Sequence, residues 1–163
     1  MNEFVIRAAQ DADWPAVWQI FHAVVAQGDT YAFDPATTEE TARQVWWYPT
    51  VHPFVAEQNG SIVATYMLKT NQPGLGNHVV NAGYMVDPQV RGRGIASRLC
   101  THSMETARHM GYQAMQYNFV VSTNTVAIRL WERHEFTVVG RVPKAFRHAH
   151  LGLTDVLVMH RFL

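Results

Sequence analysis

Gln89-Val90-Arg91-Gly92-Arg93-Gly94-Ile95-Ala96 is the stretch of this chain best suited to chemistry. Gly92 and Gly94 allow positive φ and a close approach of ligand to main chain. If a helix opens here, its first N–H groups point outward and its dipole is positive at that end. The result is a compact anion site suited to a pyrophosphate, with charge added by Arg91 and Arg93. An ordinary strand-to-helix turn would use the same two glycines, so the spacing alone leaves both readings open. A Walker loop is excluded, because no Gly-Lys-Ser/Thr follows, and a dinucleotide fingerprint needs a third glycine. Three asparagines are the other candidates. Asn81 and Asn118 lie inside apolar runs, and burial would demand partners for them. Either each bonds backbone at a bulge, or Asn118 with the Phe119 backbone and Asn81 grip a substrate carboxylate or amide. Asn124 suits a helix N-cap, a ligand contact, or both.

The elements that must hold these residues follow from pattern. Val5 to Ala8 reads as a strand. Asp11 is placed to cap a helix carrying Trp14, Val17, Trp18, Phe21, Val24 and Val25 at three- and four-residue spacing, which Gly28-Asp29 ends. An aromatic loop with Tyr31 and Phe33 leads to a second helix from Thr38 to about Tyr48. Two apolar runs around Asn59-Gly60 predict a hairpin. Val79 to Val86 reads as a strand, Arg93 to Met110 as a helix, Ala114 to Val121 as a strand and Asn124 to His134 as a short helix. Phe136 to Val142 and Thr154 to Phe162 close the chain as strands, joined by a loop from Pro143 to Gly152. The order βααβββαβαββ indicates one α/β domain over 1–163, a mixed sheet with helices on both faces.

Composition narrows the partners. Thirteen Lys and Arg balance thirteen Asp and Glu, and apolar residues make up 48% of the 163 positions. No overall field exists to draw nucleic acid or an anionic membrane, and no run of about 18 apolar residues spans a bilayer. Neither partner is expected. The single Cys100 excludes an internal disulfide, reads as core, and fits a reducing compartment. With no signal-like N-terminus, a cytoplasmic protein is expected. His148-x-His150 lacks a nearby third ligand and reads as a solvated loop, so no metal is expected.

Two of these stretches match known motifs. Gln89-x-x-Gly92-x-Gly94 resembles the Q/R-x-x-G-x-G/A acetyl-CoA loop of the GNAT N-acetyltransferase superfamily, and Asn124-x-x-Ala127-x-x-Leu130-Trp131-Glu132-Arg133 resembles its N-x-x-A-x-x-L-Y-E-K motif. A narrower likeness, in Asn81-Ala82-Gly83, Asn118 to Asn124 and Val142-Pro143-Lys144, is to the yeast acetyltransferases that detoxify proline analogues such as azetidine-2-carboxylate.

The resemblance implies a GNAT-like, mostly antiparallel central sheet and transfer of acetyl from acetyl-CoA, with no metal, to the amine of a small amino-acid-like acceptor. Pantetheine would lie between two splayed strands, bonded by free backbone near Met85 and Val86, with the diphosphate on residues 91–96 and Asn124 nearby. Asn81, Asn118 and Phe119 would hold the acceptor. Tyr31 and Phe33, with Trp46, Trp47 and Tyr48, would wall its pocket. Trp131 stands where the family carries the tyrosine that protonates the departing thiolate. Indole donates a hydrogen bond but is no proton acid; a thiol of pKa about 8.5 leaves tolerably without one. Asn124 and Trp131 are therefore the catalytic candidates, acting by placement. Glu135 replaces a common glycine, without effect on the chemistry. The base stays open among Glu57, His78 and Tyr84. A protein N-terminus or lysine as acceptor is the second reading, and a non-catalytic acyl-CoA-binding module the third, favoured by Trp131. A homodimer is expected by analogy with the superfamily alone.

Overall fold

The computed structural model describes residues 4–163. Seven strands make one sheet: β1 Phe4–Ala8, β2 Val51–Gln58, β3 Ser61–Thr70, β4 Val79–Val86, β5 Ala114–Val121, β6 Thr137–His148 and β7 Gly152–Phe162. The α-helices are α1 Trp14–Val25, α2 Glu39–Trp46, α3 Ile95–His109 and α4 Thr125–Arg133. Their order is the expected one. In space the strands run β1-β2-β3-β4-β5-β7-β6, and only β4 and β5 pair in parallel.

Alternation along the strands splits the core between the two faces. On one side Leu99, Cys100 and Met104 of α3 and Leu130 and Trp131 of α4 pack on Val80, Ala82, Met115 and Tyr117. On the other, Val17, Phe21 and Val24 of α1 and Ala42 and Trp46 of α2 pack on Val55 and Met85. The Asn59-Gly60 turn has both residues at positive φ, 51° and 80°, the conformation a tight hairpin demands.

Local chemistry moves several boundaries from their expected places. Asp11 does not cap α1: residues Asp11–Asp13 form a 3₁₀ turn and Asp13 stands at the N-cap. The Arg7 guanidinium holds the Asp13 carboxylate at 2.7 and 2.9 Å, and the Gln10 N–H donates to it at 2.7 Å. Exposed Asp11 accepts from the Trp47 indole instead. Thr38 lies outside α2 as its cap, accepting from the Thr41 N–H at 3.3 Å. α3 begins at Ile95 because Gly94, at φ 73°, is not helical.

The largest correction is at β6, which runs through Pro143 to His148 where a loop is expected. Proline is tolerated because β6 lies at the sheet edge, and the pairing with β7 shifts register between Val142 and Phe146. Lys144, at φ 50°, sits in that irregularity with its N–H donating to Asp155 at 3.0 Å.

Candidate active site

The site exists because β4 and β5 part. Their parallel pairing spans three rungs, Val79↔Ala114, Val80↔Met115 and Asn81↔Gln116, and then stops. A cavity of about 860 Å³ fills the opening and reaches the start of α3. That volume lies in the range of small-molecule sites. At its rim the chain turns through Gly92 (φ 80°) and Gly94 (φ 73°), and no atom lies within 4 Å of where either Cβ would be. These glycines are needed for their backbone angles, and the space above them is open. The first intrahelical bond of α3 runs from the Arg98 N–H to Gly94 O, so the N–H groups of Ile95, Ala96 and Ser97 have no partner within the helix. The turn has the outward N–H groups and positive-φ glycines expected from the sequence.

The cavity gathers nearly every predicted site residue: Asn81, Met85, Val86, Arg91, Gly92, Gly94, Ile95, Ala96, Asn118, Phe119, Asn124 and Trp131, with Tyr31 and Phe33. Arg93 does not line it; set between two left-handed glycines, it is exposed to solvent. Trp47 and Tyr48 do not line it either. Trp46 does, as a core residue whose indole N–H donates to Thr65 Oγ1 at 3.1 Å. Met85 needs a correction in role. The Asp87 N–H bonds Val63 O on β3, so alternation turns the Met85 backbone to β3 and those of Ala82, Tyr84 and Val86 to the gap. The Tyr84 pair is engaged by Tyr31, whose hydroxyl accepts from Tyr84 N–H at 2.9 Å and donates to Tyr84 O at 2.6 Å. Desolvation of its hydroxyl holds the Tyr31 phenol well above its ordinary pKa, so it is a neutral clamp.

The asparagine side chains are bonded to protein groups at the wall of the cavity. Asn81 Nδ2 donates to Gln116 O at 3.0 Å, across the last rung before the strands part. Asn118 Nδ2 donates to Asn71 Oδ1 at 2.6 Å, and its Oδ1 accepts from Gln116 Nε2 at 2.9 Å. A bulge in β5 between Tyr117 and Val120 releases Asn118 and Phe119 from the β7 ladder and leaves them at the cavity wall. Asn124 caps α4, its Oδ1 accepting from Ala127 N–H at 3.2 Å. Trp131 is buried against Tyr84 and Tyr117, with ring centroids 5.0 and 4.9 Å away.

None of the three candidate bases is suitably placed. Glu57 is paired with Arg7 on β1. His78 precedes β4 at the closed end of the ladder, where its carbonyl accepts from Gln113 and Ala114. The Tyr84 hydroxyl points to α3, bonded to Ser103 at 2.7 Å and Tyr117 at 3.0 Å, and burial pushes its pKa well up. His148 Nδ1 is taken by the His150 N–H. Sequence reasoning missed Asp29, the one acid among the described residues lining the cavity. Its place beside Gly28 had looked like a simple helix stop.

The fold is a split sheet with an open glycine turn and a helix start at the mouth of the split. The chain belongs to the acetyltransferase (GNAT) family, whose model matches residues 15–136. N-acetyltransferase aca1 of Schizosaccharomyces pombe is 34% identical over 99 residues, 60% of this chain and 47% of that protein. The chain thus spans about half the length of that relative. A GCN5-related N-acetyltransferase from Kribbella flavida superposes with TM-score 0.93 at 41% identity, covering 98% of each chain. The phosphinothricin acetyltransferase of Sinorhizobium meliloti, solved with acetyl-CoA, shares the fold at TM-score 0.86 and 18% identity, over 98% of this chain and 88% of that one.

Proposed function

We propose that this protein transfers the acetyl group of acetyl-CoA to the amine of a small amino-acid-like acceptor by direct attack on the thioester. One observation carries the reading: the gap between β4 and β5 opens into the same cavity as the unpaired N–H groups at the start of α3. Residues 91–96 hold the diphosphate through main-chain N–H groups, and the pantetheine lies along β4 toward Tyr84. A main-chain N–H of β4 turned into the gap polarises the thioester oxygen as it becomes an oxyanion. The attacking nitrogen must be neutral. It forms a C–N bond, the C–S bond breaks, and the thiolate leaves without a tyrosine acid, since Trp131 has no acidic proton. Asn81 and Asn118 meet the acceptor's carboxylate or amide, and Tyr31 and Phe33 close around its apolar part.

The test is thiol release from acetyl-CoA with a panel of amino acids, proline analogues and polyamines. The proposal expects amine-dependent release that is fastest with amino-acid-like acceptors. Release confined to peptide amines would move the acceptor to protein. Tight acetyl-CoA binding with no amine turned over would leave a binding module.

A further inference from the structure

We infer that Asp29 is the group that receives the acceptor's ammonium and takes its proton, a catalytic role that rests on the acetyl-transfer reading above. Asp29 lines the cavity, and its Oδ1 is buried without a hydrogen-bond partner. An isolated buried carboxylate oxygen is costly, and a cationic N–H donor would relieve that cost. The walls around it offer none of the alternatives considered: Glu57 is paired with Arg7, His78 does not line the cavity, and the Tyr84 hydroxyl is bonded toward α3.

The position is built. Gly28 ends α1 at φ 62°, and a Cβ there would lie 2.9 Å from the Ala149 Cβ. The Ala149 N–H donates to Gly28 O at 2.9 Å. The tip of the β6–β7 hairpin therefore clamps the residue before Asp29, while two residues later Tyr31 is pinned to β4. Asp29 is held between these two fixed points, on the side of the sheet where α1 and α2 pack. Other charged or titratable groups in the same walls are Arg91, Arg133, Tyr31, Tyr84 and Tyr117. The hairpin tip carries His148 and His150.

The step balances. One ammonium proton passes to Asp29 Oδ1, a transfer favoured once water is excluded, because the neutral pair then loses less hydration than the ion pair. The freed lone pair attacks the thioester carbon. The nitrogen's second proton leaves with the thiolate sulfur, and Asp29 later returns its own proton to solvent.

Asp29→Asn should lower kcat/KM for amines about a hundredfold or more near neutral pH and leave acetyl-CoA affinity unchanged. Wild-type kcat/KM should be nearly flat from about pH 6 to 9, while the Asn variant climbs about tenfold per pH unit as free amine accumulates. Asp29→Glu, which keeps a carboxylate, should retain the flat profile at a reduced rate. If Asp29→Asn loses acetyl-CoA binding as well, the Glu variant decides: a flat profile supports the assignment and a steep one overturns it. Unchanged kcat/KM and pH profile in a cofactor-binding Asp29→Asn would overturn it outright. A wild-type protein that acetylates no amine would instead remove the reading on which the assignment stands.

Discussion

Single residues here combine a structural duty with a place in the cavity wall, and substitutions can separate the two. Asn124 caps α4 through its Oδ1 and also faces the cavity. Asn124→Ala should cost about 1 kcal/mol of stability through the lost cap. Asn124→Ser keeps a capping oxygen, so chemical denaturation should find it near wild type. Its acetyl-transfer rate should still fall about tenfold, the worth of one hydrogen bond of ordinary strength. Equal rates for the Ser variant and wild type would restrict Asn124 to capping. Residue roles were legible where type and spacing were both restrictive, as at Gly92, Gly94 and Asn124. They were illegible where geometry comes from distant chain. Nothing in the sequence brings the Tyr31 hydroxyl to the Tyr84 backbone 53 positions away, or leaves the buried Asp29 Oδ1 without a partner. Met85 and Val86 differ only in which way an alternating backbone faces, and that parity needs the β3 pairing.

Elements were predicted well in kind and order because apolar periodicity sets them. Their ends were set by contacts outside that pattern. The start of α1 depends on Arg7, which ties β1 and β2 to the helix through Asp13 and Glu57. Hydrogen bonds from Arg7 and the Gln10 N–H hold the Asp13 carboxyl below the usual carboxylate range. The folded protein therefore binds that proton less readily than the unfolded chain. Its stabilisation is complete above the ordinary carboxylate pKa of about 3.9 and is lost as pH falls through the lower folded value. Thermal melts between about pH 5 and 3 should show wild type losing more stability than Asp13→Asn, which should already be the less stable protein at pH 7. Parallel curves would contradict this. β6 was shortened in the sequence reading because Pro143 marks a break in most strands. At a sheet edge that argument fails, and only the neighbouring β7 reveals the edge.

The whole molecule is a sheet held closed at one end of its parallel pair and split at the other, with a helix start aimed at the split. Each half was readable alone: the glycine turn from its residues, the strands from their apolar runs. Their meeting in one cavity was not, because the length of pairing between β4 and β5 is fixed by the β5 bulge and by Asn81 spanning the last rung. In a chain of zero formal net charge, the proposed binding of a polyanionic nucleotide draws on local features, the oriented main-chain N–H groups at that turn and the neighbouring Arg91. Gly94→Glu adds an anion and a side chain over the open turn, at a backbone angle that side chains rarely adopt. Isothermal titration of acetyl-CoA into both proteins should give saturable one-site binding to wild type and a loss of about two orders of magnitude or more in the variant, whose fold circular dichroism should find retained. Equal affinity in the two would place the diphosphate elsewhere and contradict the site described for this chain.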